Sequence, residues 1–102
     1  MTDQRIVSTA PIDKIAIDIL KKVAPVEVSP SPDEATLLTL LDNTVGIVAR
    51  GTEGSITQRI IEGCESLKVI GRPGVGYDTV DVEFATKCQI PVIYAPVGGF
   101  AV

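Results

Sequence analysis

Leu67-Lys68-Val69-Ile70-Gly71-Arg72-Pro73-Gly74-Val75-Gly76-Tyr77-Asp78 begins as an apolar strand and runs into a loop rich in glycine. Asp81-Val82-Glu83-Phe84-Ala85-Thr86-Lys87 follows with a helical pattern, Asp81 standing where an N-cap belongs. Pro91-Val92-Ile93-Tyr94 is again a β-type run. In this reading the strand is Leu67–Ile70 and the loop starts at Gly71. Strand, loop, helix and strand in so short a span make a βαβ unit, whose two strands lie parallel in one sheet.

The same alternation extends upstream. Thr57-Gln58-Arg59-Ile60-Ile61-Glu62 reads as a short helix ended by Gly63, and Val45-Gly46-Ile47-Val48-Ala49 as a buried parallel strand. Ser31-Pro32-Asp33-Glu34 opens a helix: Ser31 as cap, Pro32 at the first helical position, Glu34 closing a capping box. That helix continues through Leu41 and stops near Asp42-Asn43. Val26-Glu27-Val28 and Arg5-Ile6-Val7-Ser8 are short strands. Between them a helix starts at Pro11 and ends at Pro25. Its Ile12, Ile15, Ala16, Ile19, Leu20 and Val23 form the core face, and Asp13, Lys14, Asp18, Lys21 and Lys22 the wet one. The order β-α-β-α-β-α-β-α-β over 102 residues predicts one α/β domain. It is a flavodoxin-like, doubly wound, parallel five-stranded sheet covered on both faces.

Composition narrows the chemistry. The chain has no histidine, so neither a Ser-His-Asp nor a Cys-His site can be built from it. Nine Lys and Arg against thirteen Asp and Glu give a net charge of −4, with the cations scattered. That is a poor basis for nucleic-acid binding. No apolar run is long enough for a membrane helix and no signal peptide is visible, so a cytoplasmic location is expected. Cys64 and Cys88 have no metal-type spacing and read as small buried hydrophobes. No metal site is expected.

Ligands of open parallel sheets bind beyond the carboxyl ends of the strands. Two loops at those ends join arginine to glycine: Arg50-Gly51-Thr52 and Gly71 to Asp78. Gly74-Val75-Gly76-Tyr77-Asp78-Thr79 is not a dinucleotide fingerprint, because Thr79 replaces the third glycine and Tyr94-Ala95-Pro96 offers no acid for a ribose. No Gly-Lys-Ser/Thr follows, which also excludes a phosphate-binding P-loop. The N–H groups of Gly74, Val75 and Gly76 can instead converge as a nest for a carboxylate or phosphate. The alternative is a tight strand-to-helix turn without a ligand. Arg50 and Arg72, each ending an apolar strand, either snorkel to solvent or pair with an acid, or together attract an anion. Tyr77 and Phe84 read as packing groups, Asp78 and Asp81 as turn and cap residues.

Residues 67 to 81, then Ala85-Thr86, Ile90-Pro91-Val92 and Ala95-Pro96, resemble the D-isomer-specific 2-hydroxyacid dehydrogenases. The closest branch holds D-3-phosphoglycerate dehydrogenase and the C-terminal-binding-protein corepressors. Arg50 after Ile47-Val48-Ala49, and Ser55-Ile56-Thr57, also match. The resemblance implies a two-domain, NAD-dependent, homodimeric parent acting on a small anionic 2-hydroxy or 2-oxo acid. Residues 1–102 would be the first segment of its substrate domain. The NAD-binding domain and the catalytic arginine, glutamate and histidine would lie outside this chain. It further implies that the amides of Val75 and Gly76 hold the substrate carboxylate and that Arg50 and Arg72 assist an anionic tail. Arg50, Gly51, Arg72, Gly74, Val75 and Gly76 are thus the candidate substrate-binding residues. No catalytic or cofactor-binding residue is expected here, and the chain alone is expected to be inert. Gly98-Gly99-Phe100 departs from the asparagine-serine pair the family commonly carries at that place.

Two rivals remain. A corepressor-like or anion-binding module of the same fold would use the sheet without catalysis. A receiver domain shares the fold too, but Ala49, Arg50 and Gly51 stand where its phosphoacceptor aspartate belongs.

Overall fold

The computed structural model describes residues 4–10, 12–31, 33–49, 56–73 and 80–95. Among them strands and helices alternate along the whole chain. In order they are β1 (Arg5–Ser8), α1 (Lys14–Leu20), β2 (Val26–Val28), α2 (Glu34–Leu38) and β3 (Thr44–Val48), then α3 (Gln58–Gly63), β4 (Val69–Pro73), α4 (Val82–Lys87) and β5 (Val92–Ala95). The strands form one sheet in the order β2-β1-β3-β4-β5, every pair parallel. This is the flavodoxin-like order, whose direction reverses between β1 and β3. No helix among the described residues is long and apolar enough to cross a membrane.

Strand alternation sorts the side chains onto two faces. Ile47, Ile70 and Val92 lie side by side in register. They pack with Leu37 and Leu41, with Ile60 and Ile61 of α3, and with Ala85 of α4. Right-handed crossovers put α2, α3 and α4 on this face and α1 on the other. Gly63, the last residue of α3, lets that helix approach Leu41 closely: a Cβ there would stand 3.0 Å from Leu41 Cδ1.

The second face is less covered than the sequence suggests. A Cβ on Gly71 would meet nothing within 4 Å, and its register partner Ile93 is 57% exposed. Among the described residues α1 is the one helix on this face, and it buries none of its residues fully. Ile15, Ile19 and Val23 are 69%, 58% and 79% exposed, so they do not form the core face their spacing implied. The half-buried residues are Ile12, Ala16, Ile17 and Leu20. With seven residues, α1 makes scarcely two turns and presents one narrow stripe inward.

Other boundaries shift for local reasons. α1 starts at Lys14 under Asp13, whose carboxylate accepts the Ile15 amide at 3.4 Å, rather than at Pro11, which lies outside the described residues. Asp33, not Ser31, caps α2: it accepts the Thr36 amide at 3.1 Å, while the Ser31 hydroxyl donates to Asp33. A carboxylate has more acceptor positions than a hydroxyl and takes both roles. The helix ends at Leu38, and the chain turns through Asn43 at φ 60°. Asparagine tolerates that left-handed geometry well. α4 is left through Gln89 at φ 61°, a position with no glycine to announce it. The largest shift is in β4. It runs on through Gly71, Arg72 and Pro73, because β5 pairs with it as far as Pro73↔Ala95. Proline is accommodated there because pairing with β3 has ended at Gly71.

Cys64 is buried, as its sequence context implied, and Cys88 is exposed at the C-cap of α4, which corrects its assignment to the core. The Cys64 thiol donates to the Thr44 carbonyl at 3.2 Å, and burial pushes its pKa up to about 11. One of the two thiols, Cys88, is therefore expected to react with a disulfide reagent at about pH 8 in the native chain, and both in denaturant. Rapid labelling of both native thiols would contradict this. Hydrogen bonds from the Ser31 hydroxyl and from the Thr36 hydroxyl and amide hold the Asp33 carboxyl below its ordinary 3.8. A depressed folded pKa stabilises above the unfolded value and ceases to do so as pH falls through the folded one. The urea midpoint of Asp33→Ala should lie below that of the parent at neutral pH and converge with it below about pH 4.

Candidate functional site

The carboxyl ends of the strands form one edge of the sheet, closed by backbone hydrogen bonds. Ser29 N–H donates to Ser8 C=O at 2.8 Å, Thr9 N–H to Val48 C=O at 2.9 Å, and Ala49 N–H to Gly71 C=O at 2.8 Å. β2, β1 and β3 thus stay paired to their last residues, and β4 is paired with β3 as far as Gly71. Small polar side chains line this edge. Ser8, Thr9 and Ser29 are all buried, and the hydroxyls of Ser8 and Ser29 each donate at 2.5 Å to a backbone carbonyl two residues on. The sequence analysis did not single them out. The signal was there in Ser8-Thr9 directly after an apolar strand.

Arg72 is the candidate site residue that the structure describes. It lies in β4 itself, on the face of Ile70, and is 4% exposed. It does not snorkel to solvent. Arg50, Gly51, Gly74, Val75 and Gly76 lie outside the described residues, as do Tyr77 and Asp78.

The described residues that flank the two candidate segments lie on neighbouring strands at the outgoing end and are bridged to each other at the returning end. Residues 50–55 leave Ala49 and return at Ile56; residues 74–79 leave Pro73 and return at Val80. On the outgoing side, Ala49 is hydrogen-bonded to Gly71. On the returning side, Ile56 and Val80 form a parallel bridge, and Asp81 N–H donates to Ile56 C=O at 2.9 Å. Ile56 and Val80 are both buried. Asp81 then caps α4, its carboxylate accepting the Phe84 amide at 3.0 Å, as its position in the sequence implied. Phe84 packs partly buried against the core.

A dinucleotide fingerprint places a carboxylate for the ribose at the end of the strand after the glycine loop. β5 ends in Tyr94-Ala95.

Comparison with known proteins agrees with this architecture. Residues 6–99 match the D-isomer specific 2-hydroxyacid dehydrogenase family, catalytic domain. D-3-phosphoglycerate dehydrogenase of Methanocaldococcus jannaschii is 44% identical over 93 residues, 90% of this chain and 17% of that protein. The Synechocystis enzyme of the same name is 40% identical over 87 residues, 85% of this chain and 16% of the relative. The chain therefore spans about a sixth of these relatives. Among solved structures, the 2-hydroxyacid dehydrogenase of Ketogulonicigenium vulgare superposes with a TM-score of 0.73 at 28% identity, over 94% of this chain and 30% of that one. A protein of Pyrococcus horikoshii gives 0.80 at 33% identity, over 89% and 27%. The chain belongs to the D-isomer specific 2-hydroxyacid dehydrogenase family and carries the N-terminal part of its catalytic domain.

Proposed function

We propose that this chain is the substrate-binding segment of an NAD-dependent oxidoreductase acting on the CH–OH group of a D-2-hydroxy acid, of the phosphoglycerate dehydrogenase kind. The single observation that carries this reading is the bridge between Ile56 and Val80, the residues that follow segments 50–55 and 74–79, in a fold that also holds β3 and β4 paired up to Ala49 and buries Arg72. In support, Arg50 and Gly51 on the one hand and Gly74, Val75 and Gly76 on the other belong to segments that follow neighbouring strands and precede the bridged residues Ile56 and Val80. Two arginines and a run of backbone N–H groups suit a ligand with a carboxylate and a second anionic group. Their part in the reaction is orientation: a carboxylate fixed by main-chain donors leaves C2 facing the same way in every turnover.

In this reading the dinucleotide and the acid–base groups belong to the rest of the parent, which agrees with a chain that holds no histidine and a β5 that ends in Tyr94-Ala95. The reading carries with it NAD as the parent's cofactor, a homodimeric parent and a cytoplasmic location.

D-3-phosphoglycerate titrated into the isotope-labelled chain should shift the amide resonances of Val75, Gly76 and Ile56. Arg72→Met, which keeps the bulk of the side chain, should weaken that binding by about tenfold or more while the circular dichroism stays native. Unmoved amides at saturating ligand would sink the reading. The purified chain with NAD and D-3-phosphoglycerate should form no NADH. Turnover that Gly76→Pro abolishes would show that the chain holds a complete active site.

A further inference from the structure

The returning anchors have an outer support. Thr57, next to Ile56, is the N-cap of α3, and its hydroxyl oxygen accepts the Ile60 amide at 3.4 Å. A hydroxyl has one proton to give, and Thr57 gives it to Glu34 Oε2 at 2.6 Å. Glu34 is the first residue of α2, and its other oxygen, Oε1, accepts from Arg59 Nη1 at 3.1 Å. The starts of α2 and α3 are thereby tied together, and helices of a parallel sheet start near the carboxyl ends of its strands. The line of support runs from Glu34 through Thr57 to Ile56, and from Ile56 to Val80 and Asp81.

We propose that Glu34 is a positioning residue for anion binding at the carboxyl edge of the sheet, fixing through the Thr57 hydroxyl the clasp between Ile56 and Val80, the residues that follow the two candidate binding segments in sequence. The inference rests on the function proposed above. The bond to Thr57 carries it, rather than the ion pair: Arg59 is 71% exposed, and a pair so placed is screened by water. The Thr57 bond is partly buried and spans 23 residues of sequence, so it constrains what the local chain does not. Glutamine at position 34 keeps an acceptor oxygen for Thr57 and loses only the charge that attracts Arg59.

The experiment compares the parent chain with Glu34→Ala, Glu34→Gln and Arg59→Ala, measuring D-3-phosphoglycerate affinity and the exchange rate of the Asp81 amide, which closes onto Ile56. The expected result is affinity about fivefold weaker and Asp81 exchange about fivefold faster in Glu34→Ala, with Glu34→Gln and Arg59→Ala within about twofold of the parent. If Glu34→Ala binds and exchanges as the parent does, the proposal is overturned while the substrate-binding reading stands. If Glu34→Gln is as impaired as Glu34→Ala, the tether is ionic and the proposal is overturned in that form. If the parent chain itself binds no D-3-phosphoglycerate, the function proposed above fails. The exchange rates then still decide whether Glu34 holds the clasp, and an unchanged Asp81 amide overturns it.

Discussion

The hydrogen bond from Ala49 N–H to Gly71 C=O extends the pairing of β3 with β4 one residue beyond the last register pair, Val48↔Gly71. Everything at the carboxyl edge depends on that continuation. Parallel strands diverge as soon as their ladder stops, and the segments that leave them diverge too. Here the ladder holds to the point at which residues 50–55 depart, and β5 continues to support β4 as far as Pro73. Arg72 is delivered to the edge as part of a strand, with the backbone on either side of it paired. Its environment is set by the sheet and not by a loop. The second constraint, the Ile56–Val80 bridge, closes the other side. Neighbouring strands on one side and a bridged pair on the other are a stronger basis for a binding edge than any one glycine.

Much of this was legible in the sequence because its elements are short and well punctuated. Val26–Val28 and Arg5–Ser8 were read with their observed bounds, and Asp81 with its observed role. The parallel order followed from alternation, since helical crossovers leave few alternatives. What was not legible depends on tertiary neighbours. Ser31 and Asp33 both suit a cap, and only the geometry shows the serine donating to the aspartate. Gly71-Arg72-Pro73 looks like loop because glycine and proline punctuate loops. It is strand because β5 offers it a partner, and β5 lies twenty residues away. The stripe Ile15, Ile19, Val23 has the spacing of a buried face and no element to bury it, which periodicity cannot report. The tie from Glu34 to Thr57 joins residues 23 apart, with no local signature at either end.

The family match covers residues 6–99 but only about a sixth of the curated relatives. That proportion fits the chemistry of the edge. Under the function proposed above, this edge holds the acid, while the cofactor seat and proton acceptor of the redox reaction belong to the rest of the parent.

Two glycines show how unevenly the fold constrains its own sequence. At Gly63 an added methyl would press on Leu41 at 3.0 Å, so the cost of folding registers any change of volume there. At Gly71 the same methyl would meet nothing within 4 Å. Of these two glycines, the first is held in place by the bulk of a neighbour, and the second by no contact of that kind among the described residues.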